Sequence, residues 1–143
     1  MERPPSWPAD LPLTDLRELE GTFVDRDGWM KEILHWADVL REKNVRIGVE
    51  SSSMLSFEFT LEDGTQKRVS RPVKIVDGWA VVTHGRGVNR DAVVAYESLT
   101  FSMRLDATGA LILKFEQQTI GTMFLVPGIG KDVRWSRLRR MPD

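Results

Sequence analysis

Cysteine is absent from the 143-residue chain, which excludes disulfides, thiolate metal sites and a cysteine nucleophile. Neither sign of charge is in excess. Twenty basic residues face twenty-one acidic ones, so no global field draws the molecule toward nucleic acid or anionic lipid, and any such binding is local. No stretch approaches the ~20 apolar residues of a membrane helix, and the opening MERPPSWPADLP lacks the apolar run of a secretory signal. Histidine is scarce: His35 and His84 are far apart and show none of the HxH, HxxxH or HExxH spacings that place two ligands on one face. There is no GxSxG elbow, and the carboxylates mostly alternate outward without forming a buried acid/base couple. The expectation is a protein with no catalytic residue, metal or cofactor, and no nucleic-acid partner.

What is present is period-two patterning. Leu55, Phe57, Phe59 and Leu61 fall on one face of a strand, with Ser56, Glu58, Thr60 and Glu62 on the other. Leu99, Phe101, Met103 and Leu105 repeat the pattern, as do Leu111, Leu113 and Phe115. Strands are expected near 19–24, 45–50, 54–61, 66–71, 73–76, 79–84, 96–105, 110–117, 122–126 and 133–140, with some middle segments able to fuse. Asp63-Gly64, Asp77-Gly78 and Asp106-Ala107-Thr108-Gly109 supply the positive-φ residues that tight hairpins require, so sequential neighbours should pair.

Two segments depart from this pattern. Residues 1–14 hold a proline-rich stretch that reads as an extended tether, leaving 15–143 as one domain. Between the first two strands, Met30, Ile33, Leu34, Ala37 and Leu40 recur at helical spacing, so one amphipathic helix is expected near 28–42, with Asp27 able to cap it. Trp29 and Trp36 lie partly off its stripe and are candidates for contact with a protein partner.

Eight or nine strands joined by tight turns favour closure into an antiparallel up-and-down barrel, which removes exposed edges; a β-sandwich is the architectural alternative. Inward Phe57, Phe59, Phe101, Met103 and Phe115, with Trp79 near a mouth, would wall a small hydrophobic or amphipathic ligand, or simply pack as core. HGRGVNRD, residues 84–91, reads as a long loop in which His84, Arg86 and Arg90 are anion-binding candidates. LVPGIGKD fails the phosphate-loop pattern, having Leu125 where a glycine is needed and Asp132 after Lys131, and reads as a hairpin loop. RWSRLRR groups four arginines near Trp135, but a strand would divide them between its faces.

Gly21-Thr22-Phe23, followed by a meander and a late arginine, is similar to lipocalin-type barrels, in which a first-strand tryptophan packs near a late arginine. Phenylalanine replaces that tryptophan, so the resemblance implies a cation over an aromatic ring, with Arg137 as partner. A helix after the first strand resembles the helical lid of fatty-acid-binding proteins. LEGTF, LDATGALIL, GTMFLVPGIG and VRWSRLRR together resemble uncharacterised small bacterial lipoproteins of lipocalin-like β-barrel type. That resemblance implies a β-barrel fold and a place in the bacterial cell envelope or periplasm rather than the cytoplasm, although the lipid-bearing cysteine is missing; the function expected of such a barrel is that of a noncatalytic binding module. The alternative is a structural or protein-interaction domain with a solidly packed barrel.

Overall fold

In the computed structural model the described residues are 3–26, 28, 30, 43–90, 93–123 and 126–142, with the backbone alone described over 84–90, 93–98, 118–123 and 126–131. The helix expected near 28–42 therefore lies outside the described residues apart from Gly28 and Met30. Met30 is helical and fully buried. Its amide donates 2.8 Å to the buried carboxylate of Asp25.

A short 3-10 helix, Leu16–Leu19, precedes nine strands: β1 Gly21–Val24, β2 Asn44–Ser51, β3 Met54–Thr60, β4 Gln66–Pro72, β5 Lys74–Val76, β6 Trp79–Arg90, β7 Val93–Leu105, β8 Leu111–Met123 and β9 Val126–Arg140. Asp15 and Glu18 form a capping box at the start of the 3-10 helix, which turns Leu16 and Leu19 into the core. The strands form one antiparallel sheet in the order β4-β3-β2-β1-β9-β8-β7-β6-β5. The turn chemistry explains the local pairings. Asp77 and Gly78 adopt φ of 52° and 79°, the successive left-handed conformations a two-residue hairpin demands, and Val76 pairs with Trp79 across them.

The sheet is continuous where two loops are expected from the sequence. Residues 84–90 belong to β6, because an unbroken register from Ala80↔Met103 to Arg90↔Val93 pairs their backbone with β7. Gly85 and Gly87 are thus strand residues, and the loop reading of HGRGVNRD is corrected. Likewise Pro127, Gly128 and Gly130 lie in β9, opposite Thr122, Gly121 and Thr119 of β8. Pro127 is tolerated there because β1 reaches only Arg139 and Arg140 of β9, so the proline sits where no second described strand needs its missing N–H.

The sheet is strongly curved. Phe57 on β3 and Phe101 on β7 meet edge to face with ring centroids 6.4 Å apart. Five strand spacings of ~4.8 Å would separate them by ~24 Å in a flat sheet. One buried cluster joins Phe23, Val45, Ile47, Leu55, Phe57 and Phe59 from one half of the strand order to Ala80, Val82, Phe101, Met103, Leu111, Leu113 and Leu138 from the other. The two end strands, β4 and β5, are consecutive in the chain, separated by Val73 alone, but no pairing joins them among the described residues, so the expected closure into a barrel is not met and the sheet stays open. Val73 is buried in the same cluster.

The proline-rich segment is fastened to this body rather than free. The Leu11 amide donates to Leu105 O at 2.9 Å, Leu13 to Gly78 O at 2.8 Å, and the Ala107 amide to Ala9 O at 2.9 Å. Leu13 is itself a core residue. A side chain at Gly78 would place its Cβ 3.0 Å from Pro12 Cβ, so the hairpin tip needs glycine for its packing as well as its backbone.

Candidate functional site

The inward residues named from the sequence form a filled interior. Phe57, Phe59, Phe101 and Met103 are at most 3% exposed and belong to one cluster, and Phe115 is partly buried against it. Within that cluster Phe57 and Phe101 meet edge to face. Trp79 lies elsewhere. Ala80 is buried opposite Met103, and alternation puts Trp79 on the outer face, where the Arg104 guanidinium stacks 3.9 Å from its ring centroid. Trp135 tilts against Trp79 at 6.0 Å, and Lys114 Nζ lies 5.4 Å from the Trp135 ring.

Asp10 organises this outer face. Its side chain is 8% exposed and each oxygen takes a different arginine: Arg3 Nη2 at 2.7 Å and Arg104 Nη2 at 3.0 Å. The proline-rich segment is thereby bolted across β7 by charge-assisted hydrogen bonds.

The turn between β7 and β8 is organised by a second carboxylate. Asp106, fully buried in its side chain, accepts from the Thr108 amide at 2.8 Å, the Thr108 hydroxyl at 2.6 Å, the Ala110 amide at 3.1 Å and Arg137 Nε at 2.8 Å. Burial alone would raise its pKa, but these donors outweigh that and hold the carboxyl below its ordinary 3.8. Arg137 also donates Nη2 to the Thr108 hydroxyl at 2.8 Å.

Arg137 is therefore committed to Asp106, and the cation over the first-strand aromatic is Arg140 instead. Its guanidinium carbon lies 5.1 Å from the Phe23 centroid, and Nη2 donates 3.1 Å to Glu18 O in the 3-10 helix. Strand parity explains the difference. Arg140 shares a face with Leu138 and pairs with Phe23, whereas Arg137 and Arg139 point to the other side. Gly21 completes the arrangement: it has φ of 150°, and a Cβ there would stand 3.5 Å from the Arg140 guanidinium.

His84, Arg86 and Arg90 stand in β6 opposite Leu99, Glu97 and Val93. Their side chains lie outside the described residues, as do Trp29 and Trp36. Among the described residues no three His, Asp or Glu side chains converge to hold a metal ion, and no helix is long and apolar enough to cross a membrane. The described grooves lie on the outside. The largest of those described, about 880 Å³, runs between Thr14–Arg17 and Val49–Ser52; a smaller one, about 300 Å³, is lined by Val24, Arg26, Ser136, Arg137, Leu138 and Arg139.

Sequence reasoning missed Asp10 and Asp106, although the Asp-x-Thr-Gly spacing at 106–109 signals a carboxylate folded back on its own turn. Comparisons with protein-family models, with curated proteins and with solved structures returned no match.

Proposed function

We propose that this chain is a noncatalytic binding module built on a lipocalin-like β-barrel, with a solid apolar base and room for a small hydrophobic or amphipathic molecule above it. The observation that carries the reading is the meeting of Phe57 and Phe101 across five strand spacings. It requires the sheet to roll up, and the direct chain link from β4 to β5 through Val73 favours a rolled sheet over two separate layers. The Arg140–Phe23 contact supports the same resemblance, since it joins the first strand, the last strand and the 3-10 helix at one end.

The base is occupied by side chains, so the ligand space belongs further along β6–β9. These strands span 12 to 15 residues each, whereas β1–β5 span 3 to 8. Leu99 is buried on β7, and Phe115 on β8 packs partly buried against the cluster. The resemblance supports a bacterial envelope location for such a module.

Titration with an environment-sensitive hydrophobic dye, together with native mass spectrometry of gently purified protein, tests the reading. Saturable dye binding near Kd ~1 μM is expected, weakened roughly fivefold to tenfold by Phe115→Ala, as suits the loss of about 1 to 1.5 kcal/mol of ring contact. A folded protein that retains no hydrophobe and binds no dye contradicts ligand binding and leaves the packed, structural module as the reading.

A further inference from the structure

The arginines of the last strand are unequally employed. Arg140 covers Phe23 and Arg137 is held by Asp106, but among the described residues neither Arg139 nor Arg26 has a hydrogen-bond or ion-pair partner. Both are exposed. Arg139 pairs in register with Val24, and Arg26 follows two residues beyond Val24, so the end of β1 brings the two arginines to one outer groove of about 300 Å³. Arg137 lines the same groove, with Nη1 uncommitted beyond its bonds to Asp106 and Thr108. Among the described residues the lining contains three guanidinium groups and no carboxylate.

We propose that this groove is an anion site for a phosphate group, taken either as a free phosphomonoester or phosphate ion or as the headgroup of an anionic phospholipid. Arg137 is neutralised by Asp106, whereas Arg26 and Arg139 are not, and two uncompensated guanidinium groups match a dianion. Their planar forks suit phosphate oxygens bidentately. A groove this small takes a headgroup-sized ligand. Among the described residues it offers none of the stacked aromatic platforms a nucleic-acid strand requires, since the other lining residues are Val24, Ser136 and Leu138. The site is on the outer face, so it stands independently of any ligand within the barrel.

Calorimetric titration with inorganic phosphate at low ionic strength, and co-sedimentation with phosphatidylcholine vesicles with or without phosphatidic acid, test the site. Binding in at least one arm is expected, weakened roughly tenfold by Arg26→Gln or Arg139→Gln and abolished by the double substitution. Arg17→Gln, outside the groove, should bind as the unaltered chain. Both residues are exposed, so unchanged circular dichroism should accompany the loss. Binding to vesicles alone assigns the phosphate to lipid, and binding to the free ion assigns it to a soluble ligand; either supports the site. No binding in either arm, or a double variant that binds undiminished, overturns it.

Discussion

Replacing Phe57 with alanine is expected to lower the unfolding free energy by about 3–5 kcal/mol, the range for deleting a fully buried aromatic ring. Against total stabilities of about 5–15 kcal/mol for natural domains, that is a large fraction. The effect arises because Phe57 is completely buried and meets Phe101 from the far side of the strand order, so the neighbours of the lost ring belong to separate halves of the sheet. Urea unfolding followed by tryptophan fluorescence should give a lower midpoint with an unchanged slope. Phe115→Ala, at a partly buried position beside the cluster, should cost distinctly less in the same measurement. Equal losses at the two positions would mean that the ring of Phe57 has no special place between the halves.

Asp106→Ala should cost about 2–4 kcal/mol, because one substitution leaves a buried amide and a guanidinium without their acceptor. Four donors converge on this carboxylate: the Thr108 hydroxyl and amide, the Ala110 amide and Arg137 Nε. Arg137 keeps some contact with water, its side chain being 32% exposed, so the figure stays below that of a fully buried ion pair. The pH dependence has a definite sign. A carboxyl whose folded pKa lies below its ordinary 3.8 contributes its full stabilisation above that value and loses it as pH falls through the lower, folded value. The difference in melting temperature between the unaltered chain and Asp106→Asn should therefore be constant from pH 7 to about 5 and shrink below about 4. A difference that grows on acidification would contradict the hydrogen-bonding pattern around the carboxylate.

The parts of the fold readable from the sequence are those set by neighbours in the chain. Leu55, Phe57 and Phe59 alternate with polar residues because one face of β3 meets the core, and Asp77-Gly78 turns because its backbone needs two positive φ angles. The mainly β, antiparallel character follows from such local facts. Residues 84–90 were illegible for the opposite reason: two glycines suggest a loop, but the ladder to β7 that keeps them extended is decided by a partner strand.

The candidate sites divide in the same way. That Phe101 and Met103 point inward can be read from alternation, but whether inward means packed or hollow depends on how tightly the sheet curves, which alternation does not encode. The choice of Arg140 over Arg137 was legible in principle, since Leu138 as the apolar residue of LRR fixes the parity of the strand end. The meeting of Arg26 and Arg139 at one groove was not, because it requires β1 and β9 to be neighbours. Proline content suggests an extended N-terminal segment, but its attachment to the core rests on Asp10 finding Arg104, 94 positions away.

The nine-stranded sheet curves over a common apolar interior, and the contact between Phe57 and Phe101 is the most direct consequence. A nuclear Overhauser experiment on protein carrying labelled phenylalanine reads that contact in solution. Ring centroids 6.4 Å apart in an edge-to-face arrangement predict clear cross-peaks between the two sets of ring protons. Assigned rings with no cross-peak between them, as a separation of ~24 Å in an uncurled sheet would give, would contradict it.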